Sequence, residues 1–119
     1  MSSTEPQSTD DRTRTPPTPQ DSLIAMGELF SRKWCPVLLY RLVYRGPAGF
    51  SELKRDIVGI SGKMLSETLD TLDAYGLVER TVVNENPLRV TYAPTERGQS
   101  FEPVLEELLV WSAEHLEVA

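Results

Sequence analysis

The feature that most narrows the fold lies between Phe50 and Ala93, where apolar residues change from helical to extended spacing. Phe50, Leu53 and Ile57 fall on one face of a short helix predicted over 50–57, with Ser51 as its N-cap. Val58-Gly59-Ile60 reads as a tight turn. Ser61 is expected to cap a longer helix running to about Tyr75, with Leu65, Leu69 and Leu72 inward and Gly76 placed to end it. The period then switches. Leu77–Val83 and Arg89–Ala93 are strand-like runs rich in β-branched residues, and Asn84-Glu85-Asn86-Pro87-Leu88 between them carries turn chemistry.

The flanks supply more helix. Asp21 and Ser22 can cap a first helix starting at Leu23, with Met26, Gly27 and Phe30 in helical phase. A second fits Trp34–Tyr44, with Val37, Leu38, Leu42 and, as a further candidate, Arg41 on its faces and Pro36 in its first turn. Gly46-Pro47-Ala48-Gly49 ends it. After the hairpin, Pro94-Thr95 opens a last helical region that Pro103 bends or restarts. Residues 1–20 are Ser, Thr, Pro, Gln and charge, and are expected to form a disordered tail. Its Arg12 and Arg14 could touch a phosphate backbone, or could simply be solvated. Residues 21–119 then form one domain, mainly α with a small β-hairpin (α+β): a winged helix-turn-helix.

Phe101, Val104, Leu105, Leu108, Leu109, Trp111 and Leu116 make a stripe too wide for packing on one side only. So small a domain buries a modest core, and a second copy is the natural cover for the rest. The expectation is a homodimer through the terminal helices, with Leu23, Phe30, Val104, Leu108 and Trp111 at the interface.

In this order of elements the short helix braces a longer one that can enter the major groove with its N-terminal residues toward the bases, while the hairpin reaches phosphates beside it. With Leu65, Leu69 and Leu72 inward, Gly62, Lys63, Ser66, Glu67, Asp70 and Thr71 face out. Lys63 can meet a phosphate or guanine, Ser66 a base or phosphate, and Glu67 a cytosine amino group. Asn84, Asn86 and Arg89 on the wing suit backbone contacts. Each of these residue types is also ordinary on a solvated face.

The net charge of −6 argues against a globally basic DNA binder. Its distribution is more helpful. From Glu28 to Lys63 seven basic residues face three acidic ones, whereas from Gln99 to the end there are five Glu and no Lys or Arg. An acid excess with few Lys also suits a halophilic, high-salt cytoplasm. The polar N-terminus and the absence of a run of eighteen apolar residues predict a cytoplasmic protein with no membrane span.

These residues resemble the HxlR-type regulators, a branch of the MarR-like winged-helix proteins. The matching pieces run from about 23 to 113: Lys33-Trp34 opening a helix that ends in Tyr40-Arg41-Leu42; Gly46-Pro47 before Phe50-Ser51-Glu52-Leu53; Ile60-Ser61 with Lys63-Met64-Leu65; Leu69 and Leu72; Gly76-Leu77-Val78-Glu79-Arg80; Pro87 before Arg89-Val90-Thr91-Tyr92; Thr95 with Gly98; and Pro103-Val104-Leu105 with Leu109 and Trp111. The resemblance implies a transcription factor that binds a palindromic site in double-stranded DNA as a dimer, with Ser61, Lys63, Ser66 and Glu67 on the recognition helix and 84–89 on the wing. It also implies dimer contacts from the terminal helices and allows a small-molecule or oxidant signal. The chain departs from it in carrying Gly62 where many relatives have Gln, Glu67 near a common Gln or Arg, and Asp21 where many have a sensing Cys.

Cys35 is the single cysteine, so no intramolecular disulfide forms and, with one His in the chain, no protein-only zinc site. It is either a buried packing residue or a redox sensor, activated by a helix N-terminus with Arg32 and Lys33 nearby. His115 has no Ser, Cys or carboxylate at catalytic spacing, and no cofactor or enzyme motif is recognised. Sequence-specific DNA binding is the leading reading; a winged-helix protein-interaction module that does not bind DNA is the alternative.

Overall fold

The computed structural model describes residues 15–116. The chain divides into two compact units, residues 1–31 and 32–119. The first contributes one helix, α1 (Pro19–Phe30). It starts four residues before the expected Leu23. Thr18, not Asp21 or Ser22, is its N-cap: Thr18 Oγ1 accepts from the Asp21 backbone N–H and Asp21 Oδ2 accepts from the Thr18 N–H, both at 3.1 Å. This is a capping box with Pro19 in the first turn, where a missing N–H is tolerated. The tail expected over 1–20 therefore gives way to helix at Pro19, and residues 1–14, with Arg12 and Arg14, lie outside the described residues.

The second unit runs α2 (Trp34–Arg45), β1 (Ala48–Gly49), α3 (Phe50–Asp56), α4 (Gly62–Ala74), β2 (Val78–Glu85), β3 (Leu88–Pro94), α5 (Glu96–Gln99) and α6 (Glu102–His115). The three strands form an antiparallel sheet in the order β1-β3-β2. This is the winged helix-turn-helix architecture. Its core is built where α2 packs on α4 and β3, and α4 on β2. Leu38, Leu42, Leu53, Leu65 and Leu72 have no exposed surface, and truncating a Leu so buried costs about 2–5 kcal/mol.

Three local details differ from the sequence reading. Ala48–Gly49 is not merely the end of a helix; it is a strand paired with Tyr92 and Thr91. Because Gly49 is held extended by that pairing, it serves as the N-cap of α3, and the expected cap Ser51 lies inside the helix. The five-residue turn at 84–88 shrinks to a tip at Asn86-Pro87, joined by a cis peptide bond, because Glu85 pairs with Leu88 and Val83 is the extra residue of a bulge. The last helical region restarts as expected: it is two helices, with Pro103 in the first turn of α6.

The junction after α4 fixes the wing to the helices. Gly76 sits at φ +74°, its N–H donates to Asp73 O and the Leu77 N–H to Leu72 O, which completes a Schellman end. Thr95 Oγ1 donates to Gly76 O at 2.6 Å and accepts from the Gly98 N–H at 3.0 Å. Gly98 is buried so tightly that a Cβ there would stand 2.1 Å from Leu77 O, a backbone atom. Gly98→Ala is therefore expected to destabilise the protein by about 3 kcal/mol through overpacking. Chemical denaturation checks this, and an unchanged midpoint would contradict the packing described.

Candidate nucleic-acid interface

Helix α4 divides cleanly into two faces. Leu65, Thr68, Leu69 and Leu72 are buried, with Thr68 Oγ1 donating to Met64 O at 2.7 Å. Lys63, Ser66, Glu67 and Asp70 form the exposed stripe opposite, as expected, while Thr71 is half-buried. Ser61 Oγ accepts from the Met64 N–H at 3.1 Å, so its oxygen caps the helix while its hydroxyl proton is left to donate to a ligand.

Two features at the head of α4 escaped the sequence reading. Met64 is 41% exposed beside Lys63, an apolar tip of the kind that meets a thymine methyl. Lys54 of α3 reaches the same place: a Cβ on Gly62 would lie 3.8 Å from Lys54 Cε. Lys54 thus reaches the first turn of α4, the turn that carries the exposed Lys63, at the helix end that favours negative charge. Only the absence of a Gly62 side chain hints at this in the sequence.

On the wing, Asn84, Asn86 and Arg89 are exposed, and Asn84 and Arg89 are cross-strand partners. Asn84 Oδ1 accepts from the Asn86 N–H at 3.2 Å, so it folds the tip with a bond that does not use its amide N–H groups. A cleft of about 720 Å³ separates the wing strand β3 from the start of α3, with Arg89 on one wall and Ser51 on the other.

Not every cation counted in the basic stretch is available. Arg41 is buried: Nε donates to Asp56 Oδ2 at 3.0 Å, Nη1 to Gly46 O at 3.0 Å, and Nη2 lies 3.7 Å from Glu52 Oε2. Arg45 Nη1 lies 3.5 Å from the same Asp56 oxygen. Their charge is spent fixing α2 to α3.

The expected interface residues differ in exposure. On α6, Val104, Leu108 and Trp111 share one exposed face, and the Trp111 ring tilts over His115. Leu105 faces inward, and Tyr44 donates a hydrogen bond to Glu106 that ties α6 to α2. That carboxylate pushes the Tyr44 hydroxyl up to about 12, with burial and Glu102 adding to the effect. On α1, Leu23 is exposed and Phe30 half-buried.

Cys35 is 1% exposed. Burial pushes its thiol above its ordinary value, and the Arg32 guanidinium offsets this only in part. The activation expected from Arg32, Lys33 and the helix N-terminus is overridden by desolvation. The native thiol is therefore expected to react with a disulfide reagent at neutral pH at least about tenfold more slowly than in denaturant. Equal rates would contradict the burial.

Among the described residues there is no cluster of three metal-ligating side chains and no helix long and apolar enough to cross a membrane.

Comparison with known proteins gives the same picture. The HxlR-like helix-turn-helix family profile matches residues 29–119. YkvN of Bacillus subtilis strain 168, an HTH-type transcriptional regulator, is 44% identical over 90 residues, 76% of this chain and 75% of its own. The reduced form of the B. subtilis transcriptional regulator YodB superposes with a TM-score of 0.72 at 31% identity, over 86% of this chain and 97% of that one. The redox regulator HypR in its oxidised form gives 0.71 at 29% identity, over 82% and 99%.

Proposed function

This chain belongs to the HxlR-like helix-turn-helix family, whose relatives are transcriptional regulators, and on that premise we propose that it binds a palindromic DNA operator in the cytoplasm as a homodimer. The observation that carries the reading is the approach of Lys54 to Gly62 at the head of α4, next to the exposed Lys63 and in one unit with the exposed wing Arg89, in a chain whose net charge is −6. Phosphate contacts need local cations, not a basic protein. In this reading α4 enters the major groove. Lys63, Met64, Ser66 and Glu67 approach base edges, and Lys54 and Ser61 hold the flanking phosphate. A strand of backbone runs along the cleft between Ser51 and Arg89.

The dimer supplies the second half-site. Val104, Leu108 and Trp111 of α6 are the exposed apolar face a second copy would cover, and in the first unit Leu23 of α1 is likewise exposed. Two-fold symmetry then predicts half-sites about 10 bp apart or a multiple of that. Trp111→Asp tests this: sedimentation should give monomers and operator affinity should fall at least about tenfold, since one half-site remains. A Trp111→Asp variant that stays dimeric and binds like the parent would refute the arrangement.

HypR is named a redox regulator, which favours an oxidant response here too. The burial of Cys35 opposes it. We assign Cys35 to packing in α2, so peroxide should leave DNA binding by the parent and by Cys35→Ser equally intact.

A further inference from the structure

We infer that Gly62 acts in DNA binding by carrying no side chain: it leaves the stem of Lys54 a seat across the first turn of α4, and the lysine seated there meets a phosphate beside the bases that α4 reads. This rests on the operator reading above and adds to it a positioning residue, one that acts through Lys54.

The fold does not ask for glycine at this position. Among the described residues the glycines with positive φ are Gly46, Gly59 and Gly76, and Gly62 is not one of them. It is the first residue of α4, a helix of 13 residues, and glycine is a poor helix residue because it gives up more backbone freedom there than any other. Packing does not require it either. A Cβ on Gly98 would stand 2.1 Å from a backbone oxygen. A Cβ on Gly62 would meet one described atom beyond its own turn, Lys54 Cε at 3.8 Å, and that is ordinary van der Waals contact. Alanine would therefore fit. A side chain that extends past Cβ would compete with the Lys54 stem for the same space.

Both sides of this contact are held in place. Leu53, next to Lys54, has no exposed surface, and Asp56 at the end of α3 is bound by Arg41 Nε at 3.0 Å. Helix α3 thus presents Lys54 from a set position. The start of α4 is set by Ser61, whose Oγ accepts from the Met64 N–H at 3.1 Å. Lys54 itself is exposed, and none of the ion pairs among the described residues engages it. Its ammonium is available to neutralise a phosphate. Such a contact carries no sequence information, but it fixes the register of a recognition helix on the duplex. A residue with no side chain would in this way govern what Lys63 and Ser66 reach.

The test follows the full-length protein by fluorescence anisotropy on a labelled duplex of mixed sequence across a KCl series, since a phosphate contact does not depend on sequence. Lys54→Ala should weaken binding about tenfold at about 0.1 M salt and lower the slope of log affinity against log salt by about 1. Gly62→Ile branches at Cβ and fills two of its three staggered positions. It should bind as weakly as Lys54→Ala, with the same lowered slope, yet melt no lower than the parent, because isoleucine is the better helix residue. Gly62→Ala, the conservative change, should lose no more than about threefold. In the Gly62→Ile background Lys54→Ala should cost almost nothing further. A folded Gly62→Ile protein with the parent's affinity and slope overturns the inference and leaves the operator reading standing. So does an equal loss from Lys54→Ala in both backgrounds, or no loss from Lys54→Ala in the parent. A parent that binds the duplex at no salt concentration overturns the operator reading as well.

Discussion

Lys63→Glu combined with Arg89→Glu is expected to reduce operator affinity by on the order of 100-fold or more while leaving the fold and the dimer intact. Both side chains are exposed and lie outside the core and the described ion pairs, so little stability is at stake. A lost contact to a base edge is worth about 1–3 kcal/mol, and each reversal also places a carboxylate beside phosphates. The single neutral variants separate the roles. Arg89→Ala should weaken binding to all sequences alike and lower the slope of log affinity against log salt by about 1. Lys63→Ala should in addition relax discrimination at one base pair. Fluorescence anisotropy on labelled duplexes across a salt series reads all three quantities. If the doubly reversed protein binds within a few-fold of the parent, α4 and the wing are not the nucleic-acid surface.

The second large effect concerns the brace beneath that surface. Arg41→Ala is expected to destabilise the protein by about 3–5 kcal/mol, as removal of one partner of a buried ion pair does. The loss leaves Asp56, whose side chain is 15% exposed, with only Arg45 at 3.5 Å, and strips Gly46 O of its donor. In a domain whose total stability is about 5–15 kcal/mol, much of the population then unfolds on mild heating. Asp56→Asn should cost less, because Arg41 keeps Gly46 O and Glu52. The double variant should fall short of the sum of the two, which a double-mutant cycle in denaturant measures. Strictly additive costs would mean that the 3.0 Å contact contributes nothing to holding α3 on α2. The brace also links stability to reading, since α3 carries Lys54 to the head of α4.

How much of this was legible beforehand follows from the range of each interaction. The inward Leu65, Leu69 and Leu72 and the cap Ser61 are local signals, and they gave α4 and its outward stripe nearly residue by residue. The hairpin was legible as β-branched runs around turn residues, but its tip was not, because the bulge at Val83 is set by cross-strand register. Strand β1 carries no local signal, since Ala48-Gly49 becomes a strand only by meeting Thr91 and Tyr92. Arg41 was counted in the basic stretch, and its pairing was not legible because its partner lies fifteen residues away. Cys35 shows the same limit: its cationic neighbours are visible in sequence, whereas the burial that outweighs them is a property of the packed helix. Lys54 was missed because it reaches the site from the neighbouring helix. The Thr18–Asp21 box, by contrast, was written in the sequence: Asp21 was read as a cap, whereas it is the N3 partner of Thr18, which was assigned to the tail.

The central claim is that a dimer reads DNA through α4 and the wing. Its most direct test is selection of duplexes from a random pool by the purified full-length protein, at low and at molar KCl, followed by sequencing. The account predicts enrichment of one palindrome with half-sites about 10 bp apart or a multiple of that, lost with Lys63→Glu and reduced to single half-sites with Trp111→Asp. A pool that stays random at both salt concentrations, from protein that is folded and dimeric, would contradict it and leave the winged helix as a protein-binding module.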